Sequence, residues 1–539
     1  MKNRTLVYSR RTLILVIVIL SLLACVKSVF FGLNIDEEYA VTMAYRMVER
    51  DEMFYTMWEP HQTSGFVCAF FIKVFLALTG GNTDYMIIYL RFVGIVIHAG
   101  VCLYVYKGLK HICSKYYALL LSILCFSILP KWIIVPEFSN MLLWVILSIM
   151  SCFLQIQFSA KVHAGHFIIL GILTCIGVLS YPSFLICFFV YSIAIYFCVP
   201  DHRKTALLLY TSTCAAMGIS YIFFFVSKLG ADTFVKGISD MATDGQHETP
   251  FIDKLGSNVL DLAQCLCIYA LVYAALYLIL RLIKKDIKRG IFVGVALFSM
   301  MWQLLAWLGD GRYFNEPLML FYHVFLVVIM SCKMERKELW CYIIPSVAAC
   351  FAASILTNTG IYVISVFLLP AIIYGLACVA KKDKICGGIV IISLVVLFLL
   401  AKGWLICENE GYKADMTYVK QKALSGPAKN IYCRYMDGYK YNLVQELMDA
   451  YITDGARVLC VSRHTIWYLL GDVEISNYST ISTPTFDERL LEYYDLFPEK
   501  YPDFIILQED VEKEKIIAMF GLDKPISEME GISLYDTSK

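Results

Sequence analysis

Long apolar runs separated by short charged loops organise this chain. Thirteen of them, at 12–33, 87–106, 116–135, 139–158, 166–181, 183–199, 206–226, 259–280, 291–309, 317–332, 339–356, 361–379 and 386–406, have about the 20-residue length of a membrane-crossing helix. A further run, 66–78, is shorter and contains Lys73, and counting it would put the later basic loops on the wrong side. It is expected to lie in the interface. Residues 37–50 predict a second surface helix, with Tyr39, Met43, Met47, Ala40, Ala44 and Val48 on one apolar stripe and Glu38, Thr42, Arg46 and Glu49 opposite. The two helices flank a hinge at Trp58-Glu59-Pro60-His61, so 34–86 reads as a structured loop after the first span.

The pattern changes after residue 406. Arg457 to Ser462 and Phe504 to Leu507 are short buried-strand patterns, with helical spacing from Asp487 to Phe497 between them. Strand, helix, strand at this interval predicts a small parallel sheet. The chain therefore divides into a membrane domain, 1–406, and an α/β domain, 407–539. No glycine-rich phosphate loop accompanies the strands, and nucleic acid is not an expected partner.

Charge orients the spans. The clusters Lys2/Arg4/Arg10/Arg11, Lys107/Lys110/Lys115, Arg203/Lys204, Arg281 to Arg289, Lys333/Arg336/Lys337 and Lys381/Lys382/Lys384 fall on one side, which the cytoplasmic bias of Lys and Arg makes the inside. The amino terminus is then cytoplasmic. An odd number of spans puts 407–539 outside, with the loops that hold Asp36, Glu137, Asp240 to Glu248 and Asp310. Composition agrees: 59% of residues are hydrophobic and 17% charged, which excludes an ordinary soluble globule. The net charge of +1 hides a split, because 407–539 holds 14 basic and 23 acidic residues against 32 and 22 in 1–406. Most of the 20 cysteines lie inside apolar runs, where the thiol behaves as a small hydrophobe, and no spacing resembles a metal cage. Residues 1–33 lack a small-residue cleavage site, so the first run is expected to persist as a helix.

Asn34-Ile35-Asp36-Glu37-Glu38-Tyr39 places three carboxylates directly after the first span, where a charge near hydrocarbon costs a few kcal/mol. Asp36 can take a proton from an incoming hydroxyl or amine, or hold a divalent cation against a phosphate. The same residues also suit a helix cap, with Asn34 or Asp36 capping and Glu37 completing a box. Arg312, in the loop Gly309 to Pro317, is the strongest candidate to bind a phosphate, although a salt bridge with Asp310 or Glu316 is an alternative. Lys131 and Arg91 are further cationic candidates or snorkelling side chains. Glu137 is a second acid or the cap of the span after it. His61, beside Glu59, is a metal ligand, a proton relay or a surface side chain. Tyr313, with Trp302, Trp307 and Tyr322, can stack on a sugar or belong to an aromatic belt.

An acidic pair after the first span, then Tyr39-Ala40 through Met47, the hinge Glu59-Pro60 and Arg91 opening the second span resemble the GT-C glycosyltransferases, especially the lipid A aminoarabinose transferases and protein O-mannosyltransferases. That resemblance implies a polytopic GT-C-like fold of about 13 spans with an outer soluble domain. It implies an inverting transfer of a sugar from a polyprenyl-phosphate donor to an envelope lipid, polymer or protein, with Asp36 and Glu37 at the catalytic position. Glu59, His61, Arg91, Lys131, Glu137, Arg312 and Tyr313 are the expected substrate-binding residues, and a divalent metal at Asp36 and His61 is an open expectation. The chain departs from the family pattern at Glu59-Pro60-His61-Gln62, at Asn140 and at Ser180-Tyr181-Pro182, where that family usually shows Lys-Pro-Pro, Asp and Lys-Gly-Pro. The competing reading is a non-catalytic transporter or flippase component, or a protein that only binds the lipid carrier.

Overall fold

The structure, a computed structural model, describes residues 2–49, 51–158, 162–199, 202–242, 251–309, 319–355, 360–406, 416–481, 486–508 and 513–537. Its helices run α1 (Lys2–Phe30), α2 (Ile35–Val48), α3 (Gly65–Thr79), α4 (Met86–Leu109), α5 (Lys115–Ser127), α6 (Phe138–Phe158), α7 (Ala164–Ser180), α8 (Leu185–Cys198), α9 (Arg203–Leu229), α10 (Ala231–Ala242), α11 (Phe251–Leu282), α12 (Ile287–Gly309) and α13 (Met319–Ser331). The series continues with α14 (Arg336–Glu338), α15 (Ile344–Ile355), α16 (Ile361–Ile364), α17 (Leu369–Lys382) and α18 (Lys384–Trp404). Every one of the thirteen predicted spans is helical. Nine are long and apolar enough to cross a membrane, and four, Lys115–Ser127, Ala164–Ser180, Pro182–Cys198 and Met319–Ser331, are shorter apolar helices. The segment Gln62–Thr79, expected in the interface, also has spanning length and composition. On α9 and α11, Ile219, Phe223, Leu271 and Leu278 are each more than half exposed, an apolar surface that suits lipid and not water. The chain is an integral membrane protein.

One predicted span is cut short. The run 116–135 is helical only to Ser127, because Pro130 has no N–H to donate and pushes the residue before it out of the helical region. The chain then makes a tight turn in which Lys131 and Trp132 both adopt left-handed backbone, φ 51° and 59°. Two such non-glycine residues in succession cost on the order of 1–2 kcal/mol each. Asn140 braces the turn from α6, donating to the carbonyls of Ile133 (3.1 Å) and Val135 (2.9 Å).

The α/β domain contains a hairpin, β1 (Val419–Lys422) with β2 (Tyr432–Arg434), and a five-stranded sheet. Along that sheet the order is β4 (Val473–Ile475), β3 (Ala456–Val461), β5 (Phe504–Gln508), β7 (Ile532–Asp536) and β6 (Ser527–Met529). The predicted parallel pair is there, β3 beside β5 with the helix Phe486–Leu496 between them in sequence. The sheet as a whole is mixed, since β7 and β6 are antiparallel. Its last two strands meet at Glu530-Gly531, both at positive φ, the geometry of a two-residue hairpin turn.

This domain packs directly on the membrane domain. Gly32 N–H donates to the Tyr432 carbonyl (2.8 Å), Trp58 N–H to Tyr478 (2.9 Å) and Ile87 N–H to Pro427 (3.0 Å). The expectation of a surface helix at 37–50 is therefore corrected. Glu38, Thr42 and Arg46, its polar face, are essentially fully buried because the α/β domain covers them.

Gly94 sets how close α4 comes to the Lys131 turn. A Cβ there would sit 1.8 Å from the Ile134 carbonyl oxygen, an impossible contact with backbone. Gly94→Ala is expected to destabilise the protein by about 1–3 kcal/mol through overpacking. Thermal unfolding of the purified protein in detergent checks this; an unchanged midpoint overturns it.

Candidate active site

Asn34 opens α2 by accepting the Asp36 N–H on its side-chain oxygen (2.9 Å), while its carbonyl accepts the Glu38 N–H (2.9 Å). The capping role thus falls to Asn34 and leaves three carboxylates in the first turn, where the helix dipole favours negative charge. Each finds a basic side chain from a different part of the chain.

Glu37 takes Arg91. The guanidinium is bidentate on the carboxylate (2.8 and 2.5 Å) and also donates to the carbonyls of Ser28 (3.2 Å), Val29 (2.9 Å) and Gly32 (2.6 Å). Arg91 therefore satisfies the open carbonyl end of α1, and both side chains are buried. The sequence offered Arg91 as a substrate-binding residue; in the structure its donors are engaged in this clamp. Glu37 likewise holds the turn, and with Arg91 it lines a small cavity beside Trp132 and Lys402.

Glu38 takes His464 of the α/β domain, Oε1 to Nδ1 at 3.2 Å, with both groups buried. Burial pushes the Glu38 carboxyl up despite His464. For His464, burial alone would lower the imidazole, but Glu38 outweighs it and raises it above its usual value. Sequence reasoning missed this pair, because nothing local marks His464 as the partner of a residue 426 positions away.

Asp36 takes Lys131, whose ammonium bonds Asp36 Oδ2. This is the most open of the three pairs, with Asp36 21% and Lys131 13% exposed. Lys131 reaches it from the left-handed turn, and strained backbone of this kind concentrates at functional sites. Glu137 lies close by at the head of α6, accepting from Ser139 N–H (2.8 Å) and Asn140 N–H (2.5 Å). It is thus the cap the sequence suggested. Burial pushes its carboxyl up to about 8, against those two bonds, and Asp36 adds to the rise. Tyr181, which shares a hydrogen bond with Ser139 (2.9 Å), feels both Glu137 and Asp36.

Two expected site residues do other work. Glu59 is buried and joins the domains, accepting from Arg46 (3.2 Å), the Ser479 hydroxyl (2.9 Å) and the Thr480 N–H (2.8 Å). Its substrate-binding role is corrected. His61 stacks on Phe138 at 4.1 Å and meets Tyr39 and Tyr181 edge-on, as an aromatic packing residue. Among the described residues no group of three His, Cys, Asp or Glu side chains gathers to hold a metal, and Lys131 stands at Asp36 where a cation would. A metal at Asp36 and His61 does not fit this donor set. Arg312 and Tyr313 lie outside the described residues. Lys27 and Lys402, readable as lysines late in the first and last apolar runs, were also missed. Lys27 donates to the Lys402 carbonyl (3.0 Å) and to that of Leu405, and Lys402 donates to the Phe126 carbonyl (3.3 Å).

No family model matches this chain, and neither does any curated protein. Among solved structures it is similar to ArnT from Cupriavidus metallidurans bound to undecaprenyl phosphate, at 10% identity over 98% of each chain with a TM-score of 0.47. It is also similar to the archaeal oligosaccharyltransferase AglB from Archaeoglobus fulgidus in complex with an inhibitory peptide and a dolichol-phosphate, at 11% identity over 94% of this chain and 70% of that one, TM-score 0.46. Likeness at this level carries no argument about what this chain does.

Two measurements test the site. Arg91→Met is expected to cost about 3–5 kcal/mol, because Glu37 is left buried without its cation; denaturation in detergent reads the loss. Glu137, held up to about 8, stays protonated at pH 7 and loses its proton as pH rises through that value. The infrared band of a protonated carboxyl is expected to weaken in the wild type between pH 7 and pH 9, and the wild-type-minus-Glu137→Gln difference spectrum is expected to carry that loss.

Proposed function

We propose that this protein is a glycosyltransferase that moves a sugar from a polyprenyl-phosphate donor to an acceptor of the cell envelope. The single observation that carries the reading is Asp36: the most accessible of three adjacent acids, at the mouth of the first span, paired with a lysine held on a strained turn. Agreement with the motif Asp36-Glu37 through Met47 supports it from the sequence.

In the proposed reaction an acceptor hydroxyl or amine attacks the anomeric carbon of the donor sugar. The bond from that carbon to the phosphate oxygen breaks, and its electron pair leaves with the lipid phosphate. The acceptor proton passes to Asp36, which also orients the nucleophile. Lys131 neutralises the departing phosphate, so Asp36 and the donor compete for one ammonium. Donor arrival then frees the carboxylate as it becomes needed. Arg312 and Tyr313 are proposed to contribute a second cation and a stacking ring from the outer loop. No step calls for a metal.

The reaction is placed on the extracytoplasmic face of the plasma (inner) membrane, with the amino terminus inside. The support is the one-sided distribution of basic loops and the direct contact between the 34–86 loop and the α/β domain, which requires them on one side.

Asp36→Asn is expected to lower turnover of purified protein on a polyprenyl-phosphate sugar about 100- to 10,000-fold while donor binding persists. Lys131→Met and Arg312→Ala are expected to weaken donor binding. Binding without turnover in the wild type favours the carrier-binding reading, and wild-type turnover that survives Asp36→Asn defeats this one.

A further inference from the structure

The interface between α2 and the α/β domain has a charged group at each end, Arg46 bonded to the Asn477 and Tyr478 carbonyls and Glu38 bonded to His464. At the second end Glu38 meets His464, on the turn that leads into the helical segment Thr465–Leu469, and the imidazole stacks on Trp467 at 5.4 Å. Beyond them, Thr42 Oγ1 and Thr465 Oγ1 are buried and make no hydrogen bond within the protein. Buried polar atoms without partners weaken a contact, so the Glu38–His464 bond carries more of this end of the interface. Glu38 is two residues from Asp36 on the same first turn, and the turn before it is stitched to the same domain by the Gly32 bond to Tyr432 and by the stacked rings of Phe31 and Tyr432, 5.3 Å apart.

We propose that His464 is a positioning residue for Asp36: through Glu38 it lets the α/β domain fix the first turn of α2, and so the placement of the reacting carboxylate. This rests on the reading of Asp36 as the reacting group. The other charged groups around the pair are Asp437 and Lys440 from the helix Tyr435–Tyr451, and Asp437 is already paired with Arg434 at 2.8 Å. Tyr441, on the same helix, is raised by burial and by Glu38 and stays neutral in the working range.

The sign of the pH effect follows. His464 is raised by Glu38, and Glu38 is raised by burial, so the docked state binds more protons than the undocked one. The link is therefore complete below about pH 6.5, the ordinary histidine value, and is lost as pH rises through the raised value. Among the three acids at the head of α2, only this one has an imidazole for a partner, the side chain whose ordinary value lies closest to neutral pH.

Two readouts on the full-length protein in lipid nanodiscs test the proposal. Hydrogen exchange in residues 35–48 does not depend on activity. His464→Ala is expected to raise it at pH 6, and the wild-type protection factor, exchange divided out by the intrinsic rate at each pH, is expected to be lower at pH 8.5 than at pH 6. Turnover on a polyprenyl-phosphate sugar tests positioning. His464→Ala is expected to lower kcat about 10- to 100-fold, the usual scale of a small misplacement, with KM for the donor within about twofold. The alkaline fall of the kcat profile is expected to disappear, and His464→Gln, whose amide can donate to Glu38, to restore part of the rate. Unchanged exchange in His464→Ala overturns the link; raised exchange with unchanged kcat and pH profile overturns the positioning role. An inactive wild type would defeat the glycosyltransferase reading, and the exchange result would still decide the link.

Discussion

Three consecutive carboxylates, Asp36, Glu37 and Glu38, each bound to a basic side chain from a different region, are the constraint on which the rest of this structure turns. Successive residues of a helix point about 100° apart, so three adjacent acids face three directions. One faces α4, one the turn before α6 and one the α/β domain. A single helical turn is thereby locked to three partners that the chain reaches 54, 95 and 426 residues away. Between helices in lipid there is no hydrophobic driving force, and polar contacts of this kind carry much of the specificity of association.

Legibility from sequence followed the range of the interaction. The spans could be read because each is decided by its own 20 residues, and the pair β3 and β5 because buried strands announce themselves locally. Asp36 stood out because an acid at that depth is costly whatever surrounds it. What could not be read was pairing. Arg46 and Glu38 look like the wet face of an amphipathic helix until a domain 400 residues later covers them. Arg91 looks like a phosphate ligand until the carbonyl end of α1 is found beneath it. The early stop of the helix at Ser127 was nearer to hand, since Pro130 breaks the apolar run, but hydrophobicity alone carried the predicted span past it.

The α/β domain is more than a cover. Its contacts with the 34–86 loop run from Tyr432 beside Phe31, through His464 at Glu38, to Asn477 and Tyr478 at Arg46. Arg46 itself is held by Asp51, Glu59 and three backbone carbonyls. One end of α2 is therefore joined to this domain by a saturated guanidinium, which stays charged at any working pH, and the other end is joined to it by a titratable imidazole.

The three acid partners also separate by chemistry. Arg91 presents a planar fork with all of its donors engaged, so exchanging Glu37 for a ligand would break five bonds and expose the end of α1. His464 carries a charge only over part of the pH range. Lys131 offers a compact ammonium that swings on a flexible stem, in the most open of the three sites. Of the three, this is the pair that an incoming phosphate can separate at least cost, because water already reaches both groups and the ammonium can follow the stronger anion. The fold thus builds one saturated pair, one pH-dependent pair and one exchangeable pair from the same turn, and the exchangeable one belongs to Asp36.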